Sequence, residues 1–142
     1  MTIAAILNSK GHEVVTIAAA ARVREAVALL AERRIGAVPV TEDGAVVGVF
    51  SERDVIYGLA SAGAAVLDRM VGEVMTAPAL TVEPKDAALA ALSLMTRRRL
   101  RHLPVVDGGR MVGVASIGDL VKYRIDRIEA DAAAMRDYIQ SA

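Results

Sequence analysis

The 142 residues carry 17 basic and 17 acidic side chains, so no net field draws the chain to nucleic acid or to an acidic membrane. With no cysteine it has no disulfide, thiolate zinc site or cysteine nucleophile, which fits a cytoplasmic protein. One Phe, three Tyr and no Trp leave no stacking platform for single-stranded nucleic acid. The longest uncharged run, residues 55–67, contains Gly58 and Gly63 and falls short of the roughly 18–20 apolar residues of a membrane span. Residues 1–10 lack the charged-then-apolar order of a secretion signal. This size suits one compact domain or two tightly paired halves, and it buries enough surface to need no staple.

Residues 14–17 read as a short extended piece. Val23, Ala26, Val27 and Leu30 then recur at i, i+3, i+4 and i+7, which predicts a helix, with Gly36 at its end. An apolar strand follows at 37–40, where Pro39 argues for an edge strand or a strand start. Glu42-Asp43-Gly44 reads as a hairpin turn into a partner strand at 46–50, and Ser51 opens a second helix. Residues 62–75 form a bridge. The same series then recurs: an extended piece at 79–82 and a helix on Ala88, Ala91, Leu92 and Met95, with Pro84 just ahead of it. After these come a strand at 103–106, a turn at Asp107-Gly108-Gly109, a strand at 111–115 and a helix from Ser116. The tail, residues 122–142, reads as one more helix. Its Ile125, Ile128, Ala132, Met135 and Ile139 make an apolar stripe that either the body or a second chain must cover.

The two series superimpose without a gap at an offset of 65 residues. Thr16 meets Thr81, Ala26 meets Ala91, and Arg33-Arg34 meets Arg98-Arg99. Pro39-Val40 meets Pro104-Val105, Gly44 meets Gly109, and Val47-Gly48-Val49 meets Val112-Gly113-Val114. Ser51 and Asp54 meet Ser116 and Asp119. A fixed register means two copies of one supersecondary unit packed with pseudo-two-fold symmetry, and therefore two related clefts. Strand–helix–strand crossovers predict a mixed α/β (α+β) sheet, each copy running β-α-β-β-α. The copies span residues 5–62 and 70–125, with a C-terminal helix at 126–142.

Two readings fit the Ser-x-x-Asp pairs. As a capping box, the Ser is the N-cap and the Asp is the acid of the first turn. As a binding site, the same helix start offers free N–H groups and a positive dipole end to a phosphate. A carboxylate one turn in accepts both hydrogens of a ribose diol. The basic run Arg97-Arg98-Arg99-Leu100-Arg101 has the look of a nucleic-acid patch, but a solvated helix end is the favoured reading, since cations complement the dipole and no aromatic is interleaved. His12 and His102 lie 90 residues apart with no ligating partners, so no metal site is expected, and His12 reads as a loop residue. No Gly-x-Ser-x-Gly elbow and no P-loop is present, so no catalytic residues are assigned.

Val74-Met75-Thr76 ahead of the second copy, Leu103-Pro104-Val105-Val106-Asp107, the two Val-Gly-Val runs and the two Ser-x-x-Asp pairs resemble the cystathionine-β-synthase (CBS) domain as a tandem pair. The resemblance spans about residues 5–125. It implies a compact regulatory pair without catalysis or a catalytic cofactor. Its clefts would take adenosine ligands such as AMP, ADP, ATP, NAD or S-adenosylmethionine. It assigns one cleft to Thr76, Leu80, Arg101, His102, Leu103 and Pro104 with Ser51, Arg53 and Asp54. The other joins Lys10, Val15, Gly36, Ala37, Val38 and Pro39 to Ser116, Gly118 and Asp119. The aspartates would hold ribose and the strand edges would flank adenine. Arg101, His102 and Arg53 make the first cleft the better phosphate site and disfavour the sulfonium of S-adenosylmethionine there. The expectation is a homodimeric nucleotide sensor that signals to a separate protein by a population shift. The competing expectation is an interaction module that binds no nucleotide.

Overall fold

The computed structural model describes residues 1–11 and 13–141; His12, read above as a loop residue, lies outside the described residues. The elements run α1 (Ile3–Lys10), β1 (Ile17–Ala18), α2 (Val23–Arg33), β2 (Ala37–Glu42), β3 (Ala45–Ser51) and α3 (Glu52–Ala62). After a 3-10 helix (Gly63–Asp68) come α4 (Val71–Val74), α5 (Ala88–Arg98), β4 (His102–Asp107), β5 (Arg110–Ser116) and α6 (Ile117–Ser141).

The helical stripes fall where the periodicity puts them. α2 buries Val23, Ala26 and Leu30, and α5 buries Ala88, Ala91 and Met95. Gly36, however, does not end α2. The left-handed residue is Arg34 (φ 54°), and its counterpart after α5 is Arg99 (φ 55°). The closing bonds run from Ile35 N–H to the Leu30 carbonyl (3.1 Å) and from Leu100 N–H to Met95 (2.9 Å). Gly36 is small for another reason: a Cβ there would lie 2.9 Å from the Glu52 carboxylate. Pro84 sits in a turn ahead of α5, closed by Glu83 N–H to Asp86 Oδ2 at 2.8 Å, rather than in the helix itself.

Each copy holds one antiparallel hairpin. Asp43-Gly44 (φ 52°, 82°) and Gly108-Gly109 (φ 58°, 81°) put both turn residues in the left-handed region, as a type I′ turn requires. β1 adds in parallel to β2, so β2 is the middle strand of three, not the edge strand that Pro39 suggested. The geometry resolves the conflict. Val49, opposite Pro39, gives both backbone groups to Thr76 (2.9 Å each), so this pair exchanges no ladder bond and the proline nitrogen faces away from β3. β1 pairs only from Val40 onward, so no donor is missed. In the second copy the extended piece reduces to a single parallel bridge, Val82 to Val105.

Each lead-in helix packs on the opposite copy. Ile3, Ile6 and Leu7 of α1 lie in the core of the second copy with Met95, Leu103, Val105 and Leu120. Ile3 and Ala4 donate to the carbonyls of Asp86 (2.9 Å) and Pro84 (2.8 Å). Val71 of α4 completes the first core with Val38, Val40 and Phe50. The copies are thus clasped through exchanged segments. The tail is not a separate helix: α6 runs unbroken from Ile117 to Ser141, and the body leaves its stripe uncovered. Among the described residues no helix is long and apolar enough to cross a membrane.

Candidate functional site

The two Ser-x-x-Asp pairs sit where a strand of each hairpin runs straight into a helix. Ser51 is the N-cap of α3. Its N–H donates to Asp54 Oδ2 (2.9 Å) and its hydroxyl to the same oxygen (3.1 Å). The other oxygen, Asp54 Oδ1, accepts the Thr76 hydroxyl at 2.9 Å. Thr76 is placed by its backbone bridge to Val49, so the segment ahead of the second copy lies beside the first copy's carboxylate. Arg101, from the second copy, approaches Glu52 at 4.0 Å. Ser51, Asp54 and Thr76 therefore meet across the two copies, and Arg101 reaches Glu52, the first residue of the same helix. Arg53 is exposed beside them, and Leu80 is 37% exposed.

The second pair repeats the capping with a different clamp. Asp119 Oδ2 accepts Ser116 N–H (3.0 Å) and the Lys10 ammonium (2.6 Å), and Lys10 also donates to the Val114 carbonyl at 2.8 Å. Val114 is the counterpart of Val49, so one lysine side chain supplies both bonds that Thr76 makes with its N–H and hydroxyl in the first copy. Burial tends to raise the Asp119 carboxyl. The Lys10 and Ser116 donors outweigh it and hold the group below the ordinary carboxylate value, so it is ionised near neutral pH. A groove of about 580 Å³ lined by Ala5, Lys10, Asp119 and Tyr123 opens here. Another of about 560 Å³ opens beside Gly36, Glu52 and Val55.

His102 does not belong to the first cleft alone. Burial, then the nearby Lys10 ammonium, lowers its pKa against the raising effect of Asp119; Arg101 and Glu52 add smaller opposing contributions. It pairs with Ser116 across the second hairpin and so lies on the side of the second carboxylate, Asp119. Val38 and Leu103 are fully buried in the two cores, so those side chains do not line a cleft and only their backbone is available there. Pro39 and Pro104 are likewise buried, whereas Val15, Gly36 and Ala37 are half-buried and Gly118 is exposed. Sequence reasoning missed Glu52. The signal lay in the repeat itself, because Glu52 is a charge where the second copy has Ile117, and it meets the Arg101 that replaces Gly36.

Residues 7–61 and 71–126 each match the family model described as CBS domain. The crystal structure of the CBS-domain containing protein ATU1752 from Agrobacterium tumefaciens is 38% identical with a TM-score of 0.83, covering 87% of this chain and 99% of that one. The mitochondrial CBS domain-containing protein CBSX3 of Arabidopsis thaliana is 32% identical over 123 residues. That match takes in 83% of this chain and 60% of the relative, so the chain spans less than two thirds of that protein. The crystal structure of CBSX2 in complex with AMP is 27% identical with a TM-score of 0.70, covering 80% of this chain and 89% of that one. The chain belongs to the CBS-domain family and carries two of its domains in tandem.

Proposed function

We propose that the chain senses an adenosine nucleotide of the AMP, ADP, ATP or NAD type in the cleft that joins Ser51 and Asp54 to Thr76 and Arg101. The supporting observation is the position of Asp54: a half-buried carboxylate at a helix start, held by Thr76 at 2.9 Å from the other copy. Three donors occupy it in the free protein, and a carboxylate offers about four lone-pair sites. A ribose diol needs two acceptor sites, so it takes the remaining one and displaces the Thr76 hydroxyl. Arg101, loosely paired with Glu52, turns to the phosphate. The AMP complex of CBSX2 supports the ligand class. Because the ligand touches both copies, it favours one relative arrangement of them, which a partner protein reads.

A second reading, a module that binds no nucleotide, is favoured by one observation: both aspartates already complete capping boxes. A thermal-shift panel with AMP, ADP, ATP, NAD and S-adenosylmethionine separates the two. A ligand at 100 times its Kd adds about 2.7 kcal/mol, roughly a 5–10 °C rise at this size. A selective rise with a phosphorylated ligand, reduced in Arg101→Ala, supports the sensor. No rise with ligand-free protein leaves the interaction module.

A further inference from the structure

The last part of α6 stands clear of the body. From Arg124 to Ser141 every described residue except Ala133 is exposed. Ile125, Ile128, Met135 and Ile139 are 49–66% exposed, which is unusual for large apolar side chains set in a row. With Val121 and Ala132 they step by four and three residues in strict alternation, a heptad seam carried through more than two heptads. On a 3.6-residue helix Asp126, Arg127 and Ala130, which line the groove against α1, lie roughly opposite that seam. The body therefore sits on the far side of α6 and does not obstruct an approach to the seam.

We propose that this seam is a zipper for a second copy of the same chain, with the two α6 helices running parallel. The flanking charges select both partner and direction. In a parallel pair, Arg124 of each copy faces Glu129 of the other, and Asp131 faces Arg136. Two-fold symmetry doubles each contact, giving four opposite-charge pairs. Asp131 is open to this contact, since its helical neighbour Arg127 comes only to 3.8 Å and the carboxylate is 74% exposed. The antiparallel overlay that keeps the layers filled sets Asp131 on Asp131, Glu129 on Glu129 and Lys122 on Arg136, all like charges. Isoleucine fills two of the three layers equivalent to a, 125 and 139 with Ala132 between them, as suits two strands, while the d layers hold Val121, Ile128 and Met135. This inference does not rest on nucleotide binding.

Sedimentation equilibrium of the full chain tests it. Wild type should be a dimer. Ile128→Lys, a change on the exposed face that leaves the fold and melting of the monomer intact, should weaken association on the order of a hundredfold by burying two like charges at the seam. The chain has no cysteine, so Met135→Cys reports direction: a parallel pair brings the two thiols together and mild oxidation links them. A wild type that stays monomeric at millimolar concentration, or an Ile128→Lys protein that is dimeric as before, overturns the zipper. A dimeric Met135→Cys protein that resists oxidation to a linked dimer overturns the parallel arrangement.

Discussion

Asp54 completes the cap of α3 and, in the proposed function, holds the ribose, and two substitutions separate these roles. Asp54→Ala removes the acceptor for Ser51 N–H and for Thr76, and it should cost about 0.5–2 kcal/mol of stability in denaturant unfolding. Asp54→Asn keeps one acceptor oxygen and most of the cap but cannot take both ribose hydroxyls, so stability should hold while nucleotide affinity falls. Gly48 and Gly113 are equivalent by the repeat, yet they should differ on mutation to Ala. A Cβ at Gly48 meets the Thr76 carbonyl at 2.7 Å, a backbone atom that cannot yield, whereas at Gly113 it meets the Leu7 side chain at 2.8 Å. Gly48→Ala should cost about 1–3 kcal/mol in denaturant unfolding, and Gly113→Ala less. His102 brings a pH dependence. Its folded pKa is depressed, so its contribution to stability is complete above about pH 6.5 and is lost as the pH falls through the folded value. Melting temperature should decline over that range in the wild type and decline less in His102→Gln.

At the scale of elements, the exchanged lead-in helices are the feature on which the pair depends. Leu7 is 1% exposed in the core of the copy it does not precede, so Leu7→Ala should cost about 2–5 kcal/mol in chemical unfolding, the loss falling on the second copy. Periodicity and turn chemistry made α2, α5 and both hairpins legible, because Asp43-Gly44 and Gly108-Gly109 admit few conformations. The limits of α2 and α5 were less so: left-handed Arg34 and Arg99 are held by Schellman-type bonds that no residue type announces. Pro39 misled because the rule for proline in a sheet concerns which way its nitrogen points, and that is set by the bridge from Val49 to Thr76. The tail looked separate from the helix before it, but Ile117 to Ser141 contains no glycine past Gly118 and no proline to stop it. At the candidate site the repeat singled out Ser51, Asp54, Ser116 and Asp119. It did not show that Lys10 takes over Thr76's bonds, since a lysine side chain replacing a backbone N–H leaves no shared residue type.

For the whole molecule, the pseudo-two-fold arrangement places two related carboxylates in unlike surroundings. One is clamped by the Thr76 hydroxyl, with Arg101 paired to the neighbouring Glu52; the other is locked to Lys10 at 2.6 Å. In the proposed function the ribose displaces the Thr76 hydroxyl, a neutral donor, more readily than the Lys10 ammonium, which predicts a single strong nucleotide site per chain in the first cleft. Titration calorimetry of AMP, ATP and NAD into ligand-free protein, run on the wild type, Asp54→Asn and Asp119→Asn, reads this directly. One nucleotide should bind near one equivalent per chain, with affinity lost in Asp54→Asn and largely kept in Asp119→Asn. Binding that survives in Asp54→Asn and disappears in Asp119→Asn, or no heat from any nucleotide, would contradict it.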